Sequence, residues 1–198
     1  MKKNALKPIA TRVAASRQSW LRQQGTEIQP FGTVVGSELD LPDDARLYSC
    51  QRLNQLLADT QILYALYKNH HWLMRGTGFH RLHLLFEKHA SEQVELIGQV
   101  AERIQALGGV AVGDPRHVAE ITRIPRAPNG CEPVPAVLSR LLEAHELILM
   151  DGHDAATWVS AQRDEGTKDL IVSEVIRTGD AQIWALADYL VNPPPVGG

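Results

Sequence analysis

Four residues near the middle of the chain have the types and spacing of metal ligands. His83 and Glu87 are four residues apart, so on a helix their side chains lie on one face. His71 lies twelve residues before His83, ahead of a Gly-Thr-Gly break at residues 76–78, and can face it from the end of a preceding helix. Two imidazoles and a carboxylate favour iron or zinc over magnesium or calcium.

The fourth candidate ligand, Glu102, needs a second chain. It lies 19 residues after His83 in a segment without proline, which corresponds to about 28 Å along one helix. The two side chains therefore cannot hold the same ion within one subunit. If two copies of this helix pack antiparallel across a two-fold axis, Glu102 of the partner subunit comes near His83. The spacing predicts a metal site shared between two chains.

Residues around these ligands resemble the signature of a known family, the Dps proteins (DNA-binding proteins from starved cells), which are small bacterial relatives of ferritin. The resemblance covers roughly residues 45–192. It is carried by the four candidate ligands together with His71-Trp72, the Arg75-Gly76 turn, Phe79, Ala101-Glu102-Arg103 and Leu107-Gly108-Gly109. For each residue alone, a surface charge or a hydrogen-bonded histidine is the simpler interpretation, but all four at this spacing with these flanks favour a site.

The resemblance implies an enzyme and a storage shell. Ferrous iron would be oxidised at ferroxidase sites between subunits, commonly with hydrogen peroxide, and the ferric mineral would be stored in a hollow homododecamer. It also implies a cytoplasmic, nucleoid-associated stress-response protein that binds and protects DNA. One residue departs from the family pattern: Gly98 stands where the family has an aspartate. The alternative is therefore a nucleoid-compacting DNA-binding protein whose metal site is vestigial.

Loss of that carboxylate predicts one strong and one weak metal position. His80, three residues before His83, is a possible extra ligand, and zinc could occupy so nitrogen-rich a site. Trp72 beside the site could donate an electron to a stray radical. Lys68 could pair with a carboxylate of the partner subunit. A di-iron oxidase with its metals in the bundle core is excluded, because such sites need Glu-x-x-His pairs and the chain has none.

Charge is distributed unevenly along the chain. The net charge of the whole chain is −3. Residues 1–25 carry six cations and no acidic residue, so the remainder of the chain has a net charge of −9. Such an arm predicts non-specific DNA binding through phosphates, the alternative being a solvated leader without a partner. The cations do not share one helical face, which argues against a membrane helix. They are Lys2, Lys3, Lys7, Arg12, Arg17 and Arg22.

Composition narrows the class further. The N-terminal residues lack the apolar core of a signal peptide, and no apolar run is long enough to span a membrane. The two cysteines form neither a disulfide framework nor a metal-binding spacing, which is typical of a reducing cytosol.

Apolar residues recur with the helical period in four long segments, predicted at 45–74, 79–107, 134–164 and 168–191. Asp43 or Asp44 is the expected N-cap of the first helix, and Thr167 that of the last. Some 25 residues join the second and third helices, and Asp114-Pro115 predicts a short helix at about 115–122 within them. We therefore predict an all-α, ferritin-like four-helix bundle over 45–192, between a basic arm (1–44) and a short C-terminal tail (193–198).

Several polar residues have roles that the sequence leaves open. His145 lies on the inward stripe of its helix and is interpreted as a hydrogen-bonded core residue, whereas His89 and Glu92 are predicted on polar faces, against solvent or a neighbour. An acidic cluster flanks the last interhelical turn. The resemblance implies that this turn lines three-fold pores where iron enters, and ordinary capping and surface charge is the equal alternative. The cluster consists of Asp164, Glu165 and Asp169.

Overall fold

The computed structural model describes residues 25–75 and 79–191. The chain divides into two units, residues 1–30 and 31–198. In the first unit, residues 25–30 contain neither helix nor strand. The six cations of the predicted arm and the predicted tail at 193–198 lie outside the described residues. No helix in the described ranges is long and apolar enough to cross a membrane.

Helices account for most of the second unit. Helix α1 packs against α2 and α4, and α4 packs against the last helical stretch, so the predicted four-helix bundle is confirmed. The elements in chain order are α1 (Asp43–Leu73), α2 (Phe79–Ala106), α3 (Pro115–Ile121), α4 (Val134–Ala161), α5 (Glu165–Leu170), a π-helical segment (Ile171–Ile176) and α6 (Arg177–Val191).

A continuous apolar core runs along the bundle. Each long helix contributes the side chains of its inward stripe, as their period of about 3.6 residues requires. Burying such side chains stabilises the fold by about 1.5–3 kcal/mol each. The largest fully buried ones include Leu53, Leu57, Tyr67, Phe86, Ile104, Leu141, Ile171 and Leu186.

The helix ends correct two predicted caps. Helix α1 begins at Asp43 after Pro42, so Asp43 and Asp44 lie in its first turn, where carboxylates favour the positive end of the helix dipole. The fourth long helix starts at Glu165, not at residue 168, and its N-cap is Asp164. The Asp164 carboxylate accepts a hydrogen bond from the backbone N–H of Thr167, so Thr167 is the capped residue. The cap of α3 by Asp114 is confirmed.

The segment before α1 is attached to the bundle. Val35 N–H donates to Gly108 O at 2.8 Å, and the buried Arg46 guanidinium donates to Val35 O and to Leu107 O at 2.6 and 2.7 Å. Gly108 has φ +80°, and a Cβ there would lie 2.5 Å from Val35 O, so only glycine fits. The packed unit therefore begins at Phe31, earlier than the boundary predicted at residue 45.

Side chains of α1 hold the long crossover in place. The Asn54 amide pairs with Val110 O and Val112 N–H at 3.0 and 2.8 Å, which satisfies two backbone groups where no helix does so. The Asp59 carboxylate accepts from the Thr122 hydroxyl and the Arg123 N–H. The crossover therefore follows α1 closely instead of extending into solvent.

Candidate metal centre

Three of the predicted ligands lie together where α1 ends and α2 begins. The rings of His71 and His83 are stacked, with centroids 3.6 Å apart and planes at 25°. His71 Nε2 lies 3.3 Å from Glu87 Oε2. The helical spacing of His83 and Glu87 thus brings both beside the end of α1, as the sequence predicted.

A lysine completes this half-site, by which we mean His71, His83, Glu87 and Lys68. Lys68 Nζ lies 2.6 Å from Glu87 Oε2. Within one chain, Lys68 pairs with Glu87 because α1 directs it toward the first turns of α2. Pairing of Lys68 with a carboxylate of the partner subunit stays a prediction. Its hydrogen bond lowers the pKa of Glu87 below the ordinary value. The carboxylate is therefore ionised, as a metal ligand must be.

Burial shapes the chemistry of His71. Desolvation, followed by the neighbouring His83, lowers the pKa of His71 below its ordinary value. Its Nδ1 is buried without a hydrogen-bond partner. A neutral imidazole with an unsatisfied nitrogen has the protonation state that metal coordination requires. The donor set of the half-site therefore suits a divalent transition-metal ion.

The remaining predicted ligand is far from the half-site. Glu102 is exposed on the same continuous helix as Glu87, fifteen residues further on, or about 22 Å at 1.5 Å per residue. Gly98 lies between them on an exposed position, and a Cβ there would meet nothing within 4 Å. Across residues 25–75 and 79–191, no group of three His, Cys, Asp or Glu side chains is arranged to hold a metal ion.

Two other residues named from the sequence are solvent-exposed. His80 is exposed one turn before His83, so the chain leaves it accessible. Trp72 follows His71 directly, and its side chain is 69% exposed. Neither side chain is buried in the core of the bundle.

The bundle core contains a buried network of polar side chains that was not predicted from the sequence. The Tyr67 hydroxyl lies 2.7 Å from His145 Nε2 and 3.1 Å from His89 Nδ1. The core role expected for His145 is confirmed, but the polar-face prediction is wrong for His89, which is 1% exposed. One signal was available: His89 and Gln93 continue the helical spacing of Phe86 along the buried stripe of α2.

The predicted pore cluster divides into buried and exposed members. Asp164 is 1% exposed and accepts hydrogen bonds from Ser49 Oγ and Arg103. It caps α5 and ties it to α1 and α2, so it does not face solvent. Glu165 and Asp169 are exposed and line a shared cavity, with Lys168 3.0 Å from Glu165.

The bundle is of the ferritin-like class, and the family model described as the ferritin-like domain matches residues 50–194. DpsC from Streptomyces coelicolor is 62% identical, and its structure matches with a TM-score of 0.84 over 87% of this chain and 100% of that chain. These similarities confirm the resemblance seen in the sequence: the chain belongs to the Dps family of the ferritin-like superfamily.

Two further relatives extend the comparison. An uncharacterized protein from the bpoA2 5' region of Kitasatospora aureofaciens is 61% identical over 147 residues, which are 74% of this chain and 98% of that protein. A nutrient stress-induced DNA-binding protein of Synechococcus is 28% identical over 163 residues, 82% of this chain and 92% of that protein. The similarity therefore covers nearly the whole of both relatives.

Proposed function

We propose that the protein is a ferroxidase and iron-storage shell whose sites are shared between two-fold-related subunits. His71, His83 and Glu87 of one chain bind ferrous iron as substrate, together with Glu102 of the partner subunit. Hydrogen peroxide is the oxidant, and the ferric product is stored inside a homododecamer. Membership of the Dps family supports iron storage and DNA protection as the general role.

The observation that carries this proposal is the half-site itself. His71 stacks on His83 and lies 3.3 Å from the ionised Glu87 carboxylate, but within the described residues one chain does not arrange three such side chains to hold a metal ion. An incomplete site on an exposed surface is the arrangement expected when a second subunit supplies the missing donor. The Glu102 side chain is exposed and therefore accessible to such a subunit.

Native mass and iron chemistry test the proposal together. The purified protein should have about twelve times the mass of the 21.9 kDa chain, because the sites require assembly. Added ferrous iron should be oxidised faster with peroxide than with air, and the iron should elute with the shell. A stable monomer would contradict the shared site. An assembled shell that oxidises no iron would favour the alternative, a nucleoid-compacting protein with a vestigial metal site. The observation behind this alternative is Gly98, which stands where the family has an aspartate.

DNA binding is the second part of the proposal. We assign it to the six arm cations Lys2, Lys3, Lys7, Arg12, Arg17 and Arg22, because the remainder of the chain carries a net charge of −9 and would repel phosphate. Contacts from lysine and arginine side chains to phosphates position a protein on DNA but carry no sequence information. Binding should therefore show little sequence preference and fall steeply with salt.

Deleting residues 1–25 should abolish the gel shift that the intact shell produces. The truncated shell should keep the same number of subunits, because the packed unit begins at Phe31. Neutralising the six cations to glutamine in the full-length chain is the matched control for arm length, and it should have the same effect. If the truncated shell shifts DNA as the parent does, the DNA contact lies elsewhere on the shell.

Iron entry is the third part of the proposal, and we assign it to the two exposed carboxylates of the acidic cluster. Glu165 and Asp169 are exposed in the first turns of the fourth long helix, whereas its N-cap Asp164 is buried. A ring of such carboxylates around a three-fold axis would concentrate cations.

The double variant Glu165→Gln with Asp169→Asn should slow ferrous uptake about tenfold at low ionic strength and much less at high salt, since the attraction is screened. Stopped-flow oxidation rates measure this. The control variant, Glu143→Gln with Glu146→Gln, removes the same charge from exposed positions on α4 and should leave uptake near the parent rate. Equal slowing by both variants would leave Glu165 and Asp169 as general surface charge.

A further inference from the structure

Tyr67 has defined hydrogen-bond partners on both sides of its hydroxyl group. Its side chain is fully buried, 2.7 Å from His145 Nε2 and 3.1 Å from His89 Nδ1. The hydroxyl has one proton, and we place it in the shorter of the two contacts, the one with His145. His89 Nδ1–H then donates to the hydroxyl oxygen, which satisfies both imidazoles with one tyrosine.

Tyr67 and His145 are both uncharged near neutral pH. Burial lowers the pKa of His145 to about 3, and burial raises the pKa of Tyr67 well above its ordinary value. A tyrosine that cannot form a phenolate loses an electron readily only when its proton leaves in the same step. The neutral His145 Nε2, already bonded to that proton, is the base for it.

The phenol lies beside the half-site. Tyr67 directly precedes Lys68, and His71 follows Tyr67 by four residues on α1, which corresponds to about one helical turn. The Phe86 ring, next to Glu87, has its centroid 5.8 Å from that of Tyr67. Trp72, by contrast, is 69% exposed. Tyr67 is thus a buried aromatic side chain near the half-site that also carries an ionisable hydroxyl group.

We propose that Tyr67 donates one electron to the ferroxidase site and passes its phenolic proton to His145, an inference that rests on the proposed function. This extra electron is needed when a site holds only one ferrous ion. The missing carboxylate at Gly98 favours such single occupancy. Hydrogen peroxide then takes one electron from that ion and one from Tyr67, together with two protons from solvent. The O–O bond breaks and two water molecules form, so no hydroxyl radical is released.

The step leaves a neutral tyrosyl radical and a protonated His145, and a later ferrous ion reverses it. That ion supplies one electron, and the proton returns from His145 Nε2 to the phenolic oxygen. Over both steps two ferrous ions and one peroxide give two ferric ions and two water molecules. Tyr67 therefore stores an oxidising equivalent between the arrivals of two ions.

Electron paramagnetic resonance tests this on the assembled full-length shell, loaded with one ferrous ion per site and then mixed with hydrogen peroxide. The parent should give a tyrosyl signal that narrows when tyrosine is supplied ring-deuterated. Tyr67→Phe should lose the signal and release more hydroxyl radical to a spin trap, whereas the matched variant Tyr64→Phe, one turn earlier on α1, should behave as the parent does.

A second variant keeps the test independent of whether Tyr67→Phe folds. The chain has four tyrosines, and replacing Tyr48, Tyr64 and Tyr189 together by phenylalanine leaves only Tyr67, so the signal should persist. Iron oxidation without any tyrosyl signal, or a signal lost in this triple variant, would overturn the inference while leaving the proposed function intact. A parent that oxidises no iron would overturn the proposed function and this inference with it.

Discussion

Shells assembled from His83→Ala and Glu102→Ala chains together should recover about a quarter of the parent's sites, although each variant alone should be at least about tenfold less active. The reason is geometric. Half of the two-fold pairs in an equal mixture contain one chain of each kind. In such a pair one site combines an unmodified His83 with an unmodified Glu102 of the partner subunit, and the other site lacks both.

The measurement is the initial rate of ferrous oxidation by peroxide in shells co-expressed with two different affinity tags. A matched control uses His83→Ala mixed with Glu87→Ala. Because these residues lie in the same half-site, every site in that mixture lacks one of them, and no activity should return. Mixed His83/Glu102 shells that are as inactive as either parent variant would show that the ligands are not shared in this way.

Gly98→Asp should tighten the weaker iron position by about tenfold or more and speed oxidation. In an antiparallel pair of α2 helices this position comes near Glu87 of the partner subunit, so a carboxylate there enters the proposed site. Two unit charges about 4 Å apart attract by about 4 kcal/mol at an effective dielectric constant of 20, which exceeds the 1.4 kcal/mol that a tenfold change requires.

The substitution has room and suits the helix. A Cβ at residue 98 meets nothing within 4 Å in the chain, and aspartate has a slightly better helix propensity than glycine. Metal titration by calorimetry should show one strong and one weak position in the parent and two strong positions in the variant. Gly98→Asn is the uncharged control of nearly the same shape and should leave the two positions unequal.

Two equally tight positions in the parent would contradict this account and would mean that another side chain replaces the lost carboxylate. His80 is the first residue to examine, because it is exposed one turn before His83. His80→Ala should then convert the parent to unequal binding.

Local spacing determined much of the fold and half of the site. The helical period set the number and length of the long helices, and Asp114-Pro115 set the start of the short one, because both depend on residues within a few positions of each other. The pairing of His83 with Glu87 and the separation of Glu102 from them follow in the same way. A helix converts sequence distance into spatial distance without reference to the rest of the chain.

Only the tertiary structure decided which polar residues are buried. His89 and Asp164 look like surface residues in the sequence, yet each is 1% exposed. Their burial depends on which faces of α2 and α5 other helices cover, and on partners more than twenty residues away: Tyr67 for His89, and Arg103 for Asp164. A buried polar group requires such a partner, and helical periodicity within one segment carries no information about distant ones.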